Sequence, residues 1–147
     1  MNYYVEKRKS LNMSREEASE LLNMSPSRLE RIEKDPAKTM QPEDVLSMAR
    51  VYHDPMICNH YCAEDCPLGQ AVTPKIKEKE FGQIAIETLN CLNKLSRDKD
   101  RLLEIVEDGE LTADEQEDFE RIMESYDKIL MVATTMKLWY ETHKAQG

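Results

Sequence analysis

The chain has 147 residues, 33% of them charged and 40% hydrophobic, with a formal net charge of −9. That length holds one compact domain or a small domain with an extension. Four glycines, six prolines and two phenylalanines, set against abundant Glu, Lys, Leu, Met and Arg, leave little from which to build strands, so the expected fold class is all-α. The chain lacks an opening basic-then-apolar segment and any apolar run of about 18 residues, and the expectation is a soluble, cytoplasmic protein without a membrane span. The charge is uneven. Residues 1–56 carry nine Lys and Arg against ten Asp and Glu, whereas 57–147 carry 11 against 19, so the acid belongs to the second part.

In chain order, a first helix is expected over Tyr3 to Lys9. A second begins at Ser14, with Glu17 three residues on completing a Ser-x-x-Glu capping box. Asn23-Met24 turns the chain, and Ser25-Pro26 opens a third helix with an N-cap residue followed by proline at the first helical position. Leu29 and Ile32 form its inward face. Asp35-Pro36 stops it, and Pro42 with Glu43 and Asp44 starts a fourth helix carrying Val45, Leu46, Ala49 and Tyr52 inward. Asp54-Pro55 begins a short fifth helix through Met56 and Ile57 into the cysteines, which Pro67 and Gly69 should end. These five helices make a first domain of residues 1–66, and residues 67–74 read as a linker.

From Lys75 to about Glu107 there is no proline, and Ile84, Leu89, Leu92, Leu95, Leu102 and Ile105 recur at helical spacing; Gly82 is the one expected point of strain. Asp108-Gly109 breaks this helix, Thr112 with Glu115 forms a second capping box, and Phe119, Ile122, Met123, Tyr126, Ile129 and Leu130 lead a second long helix toward Trp139. Residues 75–147 therefore read as a long antiparallel hairpin. Two helices alone cannot cover apolar stripes this wide, so they are expected either to fold back on the head or to meet a second copy as a four-helix bundle, and the second copy, joined through residues 75–145 in a homodimer, is the favoured expectation.

Residues 11–34 carry a Leu-x-Met-Ser opening, Glu-Glu-Ala-x-x-Leu, an Asn-Met-Ser turn and Ser-x-Leu-x-x-Ile-Glu, and Val45 to Tyr52 follow as a further helix. In this pattern the chain resembles the Cro and phage-repressor helix-turn-helix family, the XRE family, over roughly residues 3–62. The resemblance implies a transcriptional regulator that binds double-stranded DNA, its third helix in the major groove and the start of its second at a phosphate. Carried onto this sequence, Pro26, Ser27, Arg28 and Arg31 would face the groove, Arg15 would meet the backbone, and Ser25 would cap onto or near a phosphate. Arginine can donate two parallel hydrogen bonds to the major-groove acceptors of guanine, which makes Arg28 or Arg31 the natural base reader. Glu16, Glu20 and Glu30 place acid near the same surface.

Cys58, Cys62 and Cys66 stand four apart, and on a continuous helix they would form one stripe of thiols. Three readings stay open. They pack as small apolar residues in a reduced cytosol; they hold zinc or an iron–sulfur cluster with His53, His60 or Cys91 as a fourth ligand; or their oxidation makes the protein redox-responsive. The spacing lacks the second short-spaced pair of zinc ribbons. No Gly-rich phosphate loop, nucleophile elbow or His-Glu metal pair is present, so no enzyme activity is expected. The rival to DNA binding is a protein-interaction module, and the charge balance around Arg15, Arg28, Arg31 and Lys34 separates the two.

Overall fold

The chain starts its helices where short polar side chains can take up the orphan N–H groups of a first turn. In the computed structural model, which describes residues 2–144, these starts are seen directly. Asn2 accepts from the Tyr4 N–H at 2.9 Å and opens α1, Tyr3–Ser10. At Ser14 both arms of the capping box close, Glu17 N–H to Ser14 Oγ at 3.1 Å and Ser14 N–H to Glu17 Oε2 at 2.8 Å, and α2 runs Arg15–Leu21. Ser25 Oγ accepts from the Arg28 N–H at 3.2 Å ahead of Pro26, opening α3, Pro26–Lys34. A one-turn helix not expected from the sequence, α4, Pro36–Thr39, follows, because Asp35-Pro36 restarts a helix as readily as it stops one. Then come α5, Pro42–Val51, and α6, Met56–His60. Asn12, Asn23 and His53 take left-handed φ of 57°, 54° and 50° just after α1, α2 and α5, where the chain must reverse.

The core of this head is Tyr4, Ala18, Leu22, Leu29, Ile32, Met40, Val45, Met48, Tyr52 and Ile57, all buried. Leu46, expected inward, is instead 53% exposed, and Met48, fully buried, fills the face of α5 between Val45 and Tyr52. Beneath the core edge lies an ion pair. Arg8 donates from Nε to Glu33 Oε1 at 2.6 Å and from Nη2 to Glu33 Oε2 at 3.2 Å, both side chains buried, and its Nη1 donates to the Met13 carbonyl at 2.9 Å. The hydrogen bond to Glu33 raises the Arg8 pKa further. The Tyr52 hydroxyl has no hydrogen-bond partner among the described residues; burial, then the Glu33 charge, pushes it up to about 12.

Past His60 the backbone widens into a π-helical turn, Tyr61–Asp65, and Pro67 then begins α7, Pro67–Val72. The helical run from Met56 thus ends ahead of Pro67 as expected, but proline is seated at the first position of a new helix and Gly69 lies inside it and ends nothing. Gly69 is buried inside α7, where a Cβ would lie 2.2 Å from the Cys62 carbonyl oxygen. Backbone cannot yield there, so Gly69→Ala is expected to cost about 1–3 kcal/mol of head stability by overpacking, read as a lower midpoint in urea denaturation with unchanged slope.

The segment expected as a linker, 67–74, is therefore mostly helix, and the non-helical stretch is 73–80. Asn59 explains the shift: its amide donates to the Pro74 carbonyl at 3.0 Å and accepts from the Ile76 N–H at 3.1 Å, fixing extended chain where a helix from Lys75 was expected. The long helices are α8, Phe81–Ile105, and α9, Gln116–His143. Gly82 has open space and carries no close contact. Thr112 and Glu115 pair as expected, Thr112 N–H to Glu115 Oε2 at 3.1 Å, but a turn intervenes before α9 begins.

The described residues divide into two compact units, the head through Ile76 together with 141–144, and Lys77–Tyr140. Within the second, α8 and α9 pack antiparallel. Phe81 at the start of α8 stacks on Trp139 near the end of α9, ring centres 4.5 Å apart; Arg101 Nε donates to Asp118 Oδ2 at 2.7 Å; Ser125 Oγ lies 3.5 Å from Asp98 Oδ2. Ile84, Ile105, Ile122 and Val132 are buried between them. Met1 and residues 145–147, the ends of the two expected domains, lie outside the described residues.

Candidate nucleic-acid interface

The helix-turn-helix unit is α2, a short turn through left-handed Asn23, and α3. Leu29, Ile32 and Glu33 turn inward, which leaves Ser25, Pro26, Ser27 and Arg31 on the exposed side of α3, with Arg28 half-buried. The residues that the resemblance assigns to the groove thus lie at one end and one side of α3, with Arg15 at the start of α2.

Their charges are not equally available. Arg28 Nη2 donates to Asp44 Oδ2 at 2.8 Å, and the same oxygen accepts from the Gln41 N–H at 2.9 Å, so Asp44 ties α3 to the start of α5. Arg15 Nε donates to Glu33 Oε2 at 3.2 Å. Lys34 pairs with Glu30 at 2.9 Å across one turn, and Lys34 holds the Glu30 carboxyl below its usual range. Arg31 makes no side-chain hydrogen bond or ion pair among the described residues, and its guanidinium faces solvent. Asp44 and Glu33 were not singled out from the sequence. Glu33 stands in the motif itself, but nothing local says that its partners are Arg8 and Arg15, 25 and 18 residues away.

The cysteines are arranged otherwise than a helical stripe. The π turn replaces four-residue by five-residue spacing, seen in the Cys66 N–H bonding the Tyr61 carbonyl at 2.9 Å. Cys66 is the N-cap of α7, its Sγ accepting from the Gly69 N–H at 3.5 Å. Burial foremost, and then the neighbouring thiol, pushes the Cys58 and Cys62 thiols up and so disfavours the thiolates that a metal needs. His53 sits in the left-handed turn after α5, His60 stacks on Tyr3 at 4.0 Å, and Cys91 is on α8. Among the described residues no three His, Cys, Asp or Glu side chains are gathered to hold a metal ion, so the donor set that the zinc or iron–sulfur reading would need is not brought together there.

Residues 6–53 match the model of the helix-turn-helix family. That segment is about a third of the chain, and what it is similar to is the helix-turn-helix of the Cro and phage-repressor type. No curated protein and no solved structure matches the chain. No helix of the described residues is long and apolar enough to cross a membrane.

Proposed function

We propose that the protein is a cytoplasmic, sequence-specific transcriptional regulator that binds double-stranded DNA as a homodimer. In this reading α3 enters the major groove with Ser27, Arg28 and Arg31 toward base edges and Pro26 toward apolar base surface. Ser25 and Arg15 meet phosphates. Residues 75–145 pair the two copies, residue 145 lying outside the described part, and each head reads half of a near-palindromic operator. The observation that carries the reading is Arg31, exposed and without a side-chain partner among the described residues, on an α3 whose inward side is used by the core.

Selection of duplexes from a random-sequence pool by the full-length protein, followed by titration of the winners against nonspecific competitor, tests it. Recovery of a two-fold-related sequence that survives competitor supports the reading. A second reading, a helix-turn-helix-fold module that docks a protein, is favoured by the internal pairing of Arg15, Arg28 and Lys34. A pool that yields no enriched sequence would decide for it.

A further inference from the structure

The heptad spacing of α8 and α9 contains two seams, not one. The seam between the helices uses positions 84, 88, 91, 95, 98, 102 and 105 of α8 and 118, 122, 125, 129, 132, 136 and 139 of α9; it holds Ile84, Ile105, Ile122 and Val132, and also the polar Thr88, Asp98 and Ser125. One residue on, at 85, 89, 92, 96, 99, 103 and 106, and at 119, 123, 126, 130, 133, 137 and 140, runs a second. It is the more apolar of the two outside its lysines, and it is open: Leu89, Leu92 and Leu103 on α8 with its C-cap Val106, and Met123, Tyr126, Leu130 and Tyr140 on α9, are 43–60% exposed.

Both second seams lie on the same side of the hairpin. A step of one residue turns a side chain by about 100° in the right-handed sense about its helix axis. The two helices run oppositely and their inner seams face each other, so the same step swings both outer seams to one side. The step back, to Gln83, Glu87, Asn90 and Lys94 or to Glu117, Arg121, Glu124 and Lys128, gives a largely polar side. The hairpin is a two-helix layer with one apolar and one polar face.

We propose that this face, centred on Leu89, Leu92, Tyr126 and Leu130, stacks on the same face of a second copy to form a four-helix bundle. The proposal deepens the homodimer reading above and rests on it. Three observations select a second copy. The seam keeps heptad spacing along both helices, so its occupant is itself a pair of helices of similar length. Eight large side chains about half exposed offer on the order of 600 Å² per copy, close to the roughly 800 Å² per partner of specific interfaces. Lys77–Tyr140 holds 16 Asp and Glu, yet none stands on the face, whose only charges are Lys99 and Lys137. Those lysines, and Asp100 and Asp127 one position further round, make no ion pair among the described residues, so the rim carboxylates of one copy can meet the face lysines of the other.

Sedimentation of the full-length chain tests this. The wild type should be a dimer at micromolar concentration. Leu92→Glu with Leu130→Glu should weaken self-association by about a hundredfold or more by placing charges in the stacked face, whereas Asn90→Glu with Lys128→Glu on the polar face should leave it intact. A wild-type monomer overturns both this proposal and the homodimer reading; a dimer that persists in the Leu92/Leu130 variant overturns only this one. If that variant loses its helical circular dichroism, thiol labelling decides. The thiol of Ser96→Cys should be protected as concentration rises while that of Asn90→Cys is not, and equal labelling of the two overturns the proposal.

Discussion

Glu33→Ala is expected to cost about 3–5 kcal/mol of head stability, because it strips a buried guanidinium of its partner. Arg8, a residue of α1, is 6% exposed; bidentate bonds to Glu33 tie it to α3 and a third bond ties it to the Met13 carbonyl. With Glu33 gone the charge cannot reach water without opening the α1–α3 contact, and arginine does not escape by losing its proton. The loss is comparable to the whole stability of many domains, so denaturant unfolding should show the head melting first or already unfolded. The reverse experiment is equally specific. Arg8→Met with Glu33→Leu removes both charges together and should recover most of the loss. A single variant as stable as wild type would mean that water reaches the pair in solution.

Arg31→Ala should weaken binding to a selected duplex by about 1–3 kcal/mol if the side chain reads a base pair, and should relax preference at one position per half-site. Its stability should stay within about 0.5 kcal/mol of wild type, because the side chain is exposed and makes no hydrogen bond or ion pair among the described residues. This separates it from Arg28→Ala, which also breaks the bond to Asp44 and so disturbs the α3–α5 contact. Affinity and sequence preference both unchanged in Arg31→Ala would take Arg31 out of the interface.

The parts of this structure legible in the sequence are those fixed locally. Ser14 with Glu17, and Ser25 with Pro26, announce helix starts because a cap needs only the next three residues, and both starts fall where expected. The candidate surface of α3 follows from Leu29 and Ile32 one turn apart. What the sequence hid depends on distant partners. The π turn at Tyr61–Asp65 has no local signature, yet it turns three evenly spaced cysteines away from one stripe. Asn59 holds Pro74 and Ile76, 15 and 17 residues later, in extended chain. In α8 the apolar positions of two seams overlap, and hydrophobic periodicity alone cannot say that Ile84 and Leu102 face α9 while Leu89 and Leu92 face out. Leu46 failed in the same way: apolar and on a helix, it lies between the inward Val45 and Met48.

The internal neutralisation of Arg15, Arg28 and Lys34 bears on how such a regulator would find its site among competing DNA. Nonspecific association is driven by release of counterions from phosphate and grows with each cation free to replace them. A head with most of its recognition-face cations already matched by Glu33, Asp44 and Glu30, on a chain of net charge −9, has little of that drive. Bulk chromosome would then sequester few molecules, and occupancy would vary less with ionic strength than for a strongly basic binder. Contact at a correct base sequence, where Arg28 can exchange Asp44 for guanine, would account for most of the residence time.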